Sequence, residues 1–363
     1  MGFRFAMRRL PAILGVALTL SGCATWKVDQ TLQSDPEDVK RLTESITQVR
    51  RFQAAVYDVS TFAVDRCTRT TLREPFALIT VGQITNVYTA EQAVTYWHAA
   101  GWDETWKVLW SHPDSPIKEG ERVLKINNTT IENNKTGLGE LPLSKYLISN
   151  YRARRAAETG KPYTVTMKAG RYIEVKLKPA CRVQVWTFPP LELESVSVLP
   201  ATKYDAVIIP STAIHVAANV DEHRYLAGLA MYFGAGAEMT TKRVAGDALV
   251  TLSAGASAAV GIMAVQLFPL VYGVISPLAI GLQRAMIGSA DLMKASIFAT
   301  QIVSDMGGDP YAGLNLMHRL DQMELGAYRV MLEPEERQLL HQLIDESIAA
   351  TFDATPVDAA MTP

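Results

Sequence analysis

Between residues 37 and 64 the apolar positions Leu42, Ile46, Val49, Phe52, Val56 and Val59 return at threes and fours. That spacing lines one face of a helix. Asp35-Pro36-Glu37-Asp38 just ahead supplies a capping acid, a proline at the first helical position and two carboxylates against the positive end of the dipole. From about residue 72 to 180 the pattern changes to short strands with turns. Trp106 to Trp110 reads as a strand, residues 111–116 as a turn and 141–158 as a helix. A hairpin follows: Val165 and Met167 alternate with Thr164 and Thr166, Ala169-Gly170 makes the turn, and Ile173, Val175 and Leu177 return on one face. Beyond residue 182 a short strand at 207–209 leads through Ser211-Thr212-Ala213-Ile214 to a helix starting near Val220. Further helices are expected at 286–306, 310–324 and 334–351, then a disordered tail over 353–363. The fold class is α+β: an N-terminal helix, a small β domain and a mostly helical domain.

Two apolar runs stand outside this pattern. Between Asp247 and Arg284 there is no charged residue, and residues 248–268 are numerous enough to span a bilayer. Pro269 and Pro277 break the run. A helical hairpin, buried or dipping into a leaflet, is expected over 248–283 in preference to a true span. The other run, residues 10–20, is too short to span. It follows Arg4, Arg8 and Arg9 and ends at Leu20-Ser21-Gly22-Cys23. This resembles a bacterial lipoprotein export signal with its lipobox. The resemblance implies that residues 1–22 are removed, that Cys23 carries palmitate-type acyl chains, and that 23–35 is a tether. Because Ala24 rather than an Asp follows the cysteine, it also implies an outer-membrane lipoprotein facing the periplasm.

Composition adds two constraints. The 35 Lys and Arg nearly balance the 37 Asp and Glu, so nothing points to a nucleic-acid partner. Of the three cysteines, Cys67 and Cys181 remain once Cys23 is assigned to lipid. In an oxidising periplasm a disulfide between them is the simplest expectation, the alternative being two buried thiols.

Residues 117–131, Ile117-Lys118-Glu119-Gly120-Glu121-Arg122-Val123-Leu124-Lys125-Ile126-Asn127-Asn128-Thr129-Thr130-Ile131, resemble the most recognisable stretch of a PDZ domain, with the later hairpin in the closing position. PDZ domains take a chain end by strand addition. The resemblance places the carboxylate loop at Gly101, Trp102, Asp103 and Glu104, with Trp102 and Trp106 as candidate peptide contacts; the alternative for both tryptophans is core packing.

The order of parts resembles the HtpX/BepA-like zinc metallopeptidases that carry an inserted PDZ domain. Asp221-Glu222-His223-Arg224-Tyr225-Leu226-Ala227 stands where that family has an acidic helix running into H-E-x-x-H. Lys294-Ala295-Ser296, upstream of Gly307-Gly308-Asp309-Pro310, stands where it has E-A-D and then A-G-Y-D-P. On this resemblance Tyr232 and Gly236 occupy the two histidine positions, Phe233 the catalytic glutamate and Lys294 the third zinc ligand. These four supply no zinc donor set, so no metal, no other cofactor and no catalytic residue is expected. The six histidines, His98, His112, His215, His223, His318 and His341, offer no pair four apart. His215 and His223 are expected to be exposed or capping, and His318 and His341 to lie at the surface.

The resulting division is 1–22 leader, 23–35 tether, 36–71 N-terminal helix on the peptidase-like domain, 72–181 PDZ-like domain, 182–352 degenerate metallopeptidase-like domain and 353–363 tail. The expected function is a non-enzymatic protein-binding or scaffold module. It would be held at the membrane by its lipid and by the 248–283 segment, and bind a protein or peptide in the PDZ-like groove. The alternatives are an active zinc peptidase with an unusual site and a structural envelope protein.

Overall fold

The computed structural model describes residues 28–80, 90–131, 142–187, 199–201, 206–209, 211–235, 289–323 and 332–353. Cys23, Gly236, the 248–283 segment and nearly all of the expected tail lie outside them. Among the described residues no helix is long and apolar enough to cross a membrane.

The first helix, α1 (Pro36–Phe62), is the spine of the molecule. The Asp35 carboxylate accepts from the Glu37 backbone N–H at 2.9 Å, and all six apolar residues of its periodic face are buried. A single 3₁₀ turn (Val64–Arg66) carries the chain to Cys67. Next come β1 (Thr70–Arg73) and β2 (Phe76–Ile79), then α2 (Ala90–Ala100) and β3 (Trp106–Ser111). After these follow β4 (Arg122–Ile126), β5 (Thr129–Thr130), α3 (Pro142–Glu158), β6 (Thr164–Met167), β7 (Tyr172–Glu174) and β8 (Lys178–Cys181). The chain continues through β9 (Gln184–Trp186), β10 (Leu199–Ala201), β11 (Ala206–Ile208), α4 (Ser211–Val216) and α5 (Val220–Ala235). It closes with α6 (Ser289–Asp305), α7 (Ala312–Gln322) and α8 (Pro334–Asp353).

Helices and antiparallel strands coexist, in agreement with an α+β class. The main sheet runs β2-β3-β4-β6-β7, with β5 beside β4. The expected hairpin is present, with Val165 opposite Ile173 and Gly170 supplying the positive φ of +82° at its tip. β1 and β8 pair antiparallel from Thr70↔Cys181 to Arg73↔Lys178, so the segment between them leaves and re-enters at one place. A smaller sheet sets β11 between β10 and a parallel β9.

Two apolar cores form. One fills the main sheet with Phe76, Trp106, Val108, Ile117, Val123, Ile126, Val165 and Met167. The other joins α1 to α5, α6 and α7. The helix α2 departs from the strands and turns expected over 72–180. Its Ala, Glu and Gln residues favour helix, and it buries Ala93, Val94 and Tyr96 in the core shared with α1 rather than in the sheet.

Candidate functional site

The start of α5 is built by local chemistry. Asn219 accepts from the Glu222 backbone N–H at 3.0 Å, and the Glu222 carboxylate reaches back to the Ala218 N–H at 2.7 Å. Asn219 thus caps a donor that the helix leaves open, and Glu222 fastens the residue ahead of the cap. Glu222 is buried and also receives Arg319 from α7, which compensates its charge. Asp221 faces the opposite way. One carboxylate oxygen accepts from the Asp309 backbone N–H at 3.0 Å and the other from Arg224 at 2.9 Å. Gly308 lies so close that a β-carbon there would sit 2.6 Å from the Asp221 carboxylate oxygen. The acidic start of α5 and the Gly307-Gly308-Asp309-Pro310 turn therefore meet.

α5 then runs along α6 at close range. Gly228 has no room for a side chain, since a β-carbon would lie 2.8 Å from the Ala299 α-carbon. One turn earlier, Tyr225 and Ser296 share a hydrogen bond of 2.9 Å through their hydroxyl groups, and burial pushes the Tyr225 hydroxyl well above its ordinary range. One turn later, the half-buried Tyr232 ring meets Phe298 at 5.7 Å and Phe233 at 5.8 Å. Lys294 precedes Phe298 by one helical turn, about 6 Å along α6, and is exposed. Phe233 is fully buried in the helical core. Of the four positions singled out in the sequence, Tyr232 thus stands on the α5–α6 seam, Lys294 is exposed on α6, Phe233 is a core residue, and Gly236 lies outside the described residues. Among the described residues no group of three or more His, Cys, Asp or Glu side chains gathers as a metal ion would require.

The candidate peptide loop is occupied by the protein itself. Trp102 is 2 % exposed and stacks on Tyr96 of α2 at 5.9 Å, while Trp106 is fully buried and packs on Tyr146 of α3 at 4.4 Å. Asp103 is buried, holds Arg122 at 2.8 Å and caps Thr105 through its backbone N–H at 2.9 Å. Gly101 ends α2 with φ +65°, and its carbonyl accepts from Lys107. Trp102 serves the packing of α2 in the core shared with α1 and Trp106 the core of the main sheet, so both tryptophans take the core-packing alternative.

Three further features depend on residues distant in the chain, the first two where the two cores join and the third inside the helical core. Cys67 and Cys181 are bonded, with Cα atoms 5.6 Å apart, as the expectation of a disulfide required. Next to the bridge, buried Arg73 donates to the Ser60 hydroxyl at 2.7 Å and to the Val183 carbonyl at 2.6 Å; burial lowers its pKa to about 10. Glu74 receives Arg154 of α3 through two hydrogen bonds of 2.7 and 2.6 Å, and Asn150 at 2.8 Å. Burial alone would raise the Glu74 pKa, but the Arg154 charge and these donors outweigh it and hold the carboxyl below its usual range. The Tyr163 hydroxyl completes the group by donating to Asn150 at 2.9 Å.

The third feature is a pair of histidines. His223 is 1 % exposed rather than at the surface, with its Nε2 3.1 Å from the Ile214 carbonyl and its ring 6.3 Å from Phe52 of α1. His215 is half-buried, its Nε2 2.6 Å from the Ser45 hydroxyl of α1. Burial lowers both pKa values, and for His215 the neighbouring His223 adds to the effect. His318 and His341 are exposed, where the sequence placed them.

Comparison with protein-family models, with curated proteins and with solved structures finds no match for this chain.

Proposed function

We propose that this protein is a lipid-anchored, non-catalytic relative of the PDZ-bearing zinc metallopeptidases. It would act on the periplasmic face of the outer membrane as a protein-binding scaffold. The observation that carries the reading is the hydrogen bond between Asp221 and the Asp309 backbone, which joins the two segments on which the resemblance rests. Support also comes from the α5–α6 seam, where Tyr232 meets Phe298, and from Lys294, exposed one turn before Phe298 on α6. A phenol ring and an ammonium offer hydrophobic and cationic contact in place of the imidazole and carboxylate ligands of a zinc site. The chain order β2-β3-β4-β6-β7, with α3 between β5 and β6, suits a PDZ-like reading of the sheet. Because the Gly101–Trp106 loop is filled from within, strand addition falls more naturally to β2, the terminal strand of that sheet.

Metal analysis and casein cleavage by the purified full chain test the first half of the proposal. Substoichiometric zinc and cleavage no faster than by a heat-killed sample are expected. Stoichiometric zinc with cleavage would establish the rival reading of an active peptidase. Cross-linking in envelopes tests the second half: a specific adduct lost on charge reversal at Lys294 or on proline substitution in β2 is expected. A protein that gives no adduct at either place is a structural component instead.

A further inference from the structure

His215 and His223 come from different elements, α4 and α5, and both face α1. A carbonyl oxygen can only accept, so the contact with Ile214 fixes the neutral His223 ring with its proton on Nε2. Nδ1 then carries a lone pair, and among the described residues it is buried without a partner. Adding a proton there would create a buried N–H with nothing to receive it. The charged surroundings are mixed. From α1, Arg51 opposes a charge on His223 while Glu44 favours one on His215; from α5, Glu222 favours one on His223 but is itself engaged by Arg319 of α7. Among the described residues no carboxylate is within hydrogen-bond range of either ring, and each protonated ring would repel the other.

We propose that His215 and His223 form a proton-operated latch. The neutral pair holds the middle of α1 against the α4–α5 corner, and the protonated pair releases it. The unfolded or undocked chain takes up protons near the ordinary histidine value of about 6.5, whereas the docked pair resists them until lower pH. Docking therefore binds fewer protons than release and strengthens as pH rises. It weakens as pH falls below about 6.5 toward the depressed values of the docked pair. α1 runs from the N-terminal segment to the Cys67–Cys181 bridge, so release would loosen the base from which the main sheet is suspended. This device is independent of the proposed peptidase ancestry.

Amide exchange of the full chain, corrected for intrinsic rates, reads the latch directly. Between pH 7.5 and 5.5, one unit below the ordinary histidine value, protection over residues 42–56 should fall by up to roughly tenfold for each of the two histidines, ahead of the strands β3 and β4. The variant carrying His215→Asn and His223→Gln should lose this response, because glutamine can still donate to Ile214 but cannot take a proton. Histidine titration by NMR on the unaltered chain provides a check that does not depend on the variant folding. His215 and His223 should titrate below the ordinary histidine value of about 6.5. If both titrate at that value, or if α1 and the sheet lose protection in parallel, the latch does not exist.

Discussion

Arg154 on α3 holds Glu74, eighty positions earlier in the chain, through a two-pronged ion pair at 2.6 and 2.7 Å. Both side chains are buried, and Asn150 takes up a further Glu74 lone pair. Removing one member strands the other charge in the interior, which costs about 3–5 kcal/mol. Arg154→Ala should lower urea-denaturation stability by that amount. Exchanging both residues for apolar ones of similar volume should cost much less. If Arg154→Ala costs under about 1 kcal/mol, the pair is solvated and the joint is looser than described.

Gly228 sets the separation of α5 from α6. In an exposed helix, alanine would gain about 1 kcal/mol over glycine. Here the added β-carbon meets Ala299 backbone at 2.8 Å, so Gly228→Ala should instead destabilise by about 1–3 kcal/mol. Ala299→Gly made in the same chain should recover part of the loss, as a double-mutant cycle on thermal unfolding would register. Additive effects of the two changes would mean that the helices do not touch there.

The Cys67–Cys181 bridge joins residues 114 apart. Loop-closure entropy sets a ceiling of about 4–5 kcal/mol on its contribution. Reduction under native conditions should lower the melting temperature and leave the proposed lipid anchor in place. An unchanged melting temperature in reductant would mean that packing around Arg73 already fixes the joint.

On the proposed lipid anchor, Cys23→Ala should abolish acylation, leave unprocessed precursor and free the protein from the outer-membrane fraction, because a thioether-linked chain would have no equal substitute. Fractionation with mass measurement of the N-terminal peptide decides the matter. A variant that stays fully with the membrane would place the anchor in the 248–283 run.

Much of this architecture can be read from residues in order. The six buried positions of α1, its Asp35-Pro36 start and the β6–β7 hairpin are local patterns, and local patterns survive folding. The helix α2 escaped because Ala93, Val94, Tyr96 and Trp97 crowd together without a clean helical period. Trp102 and Trp106 looked available to a ligand because burial is settled by distant partners, here Tyr96 and Tyr146. The same holds for His223, whose ring is enclosed by α1 from more than a hundred and fifty positions away. Nothing near Glu74 announces Arg154. The seam between Tyr232 and Phe298 likewise depends on how two helices meet.

The arrangement of β1 and β8 has a mechanical consequence. Once the contacts of β3 with α1, Trp110 on Tyr57 and Arg50 on the Leu109 carbonyl, have parted, load applied through the main sheet reaches the helical body along two neighbouring strands, entering at Arg73 and Lys178 and ending at Cys67 and Cys181. Pulled apart from that end, the strand pair opens like a zipper, one rung after another, after Glu74 has let go of Arg154. The tear then stops at a covalent bond. A tug on a bound partner would be spent peeling this short stalk and would leave the helices beneath it intact.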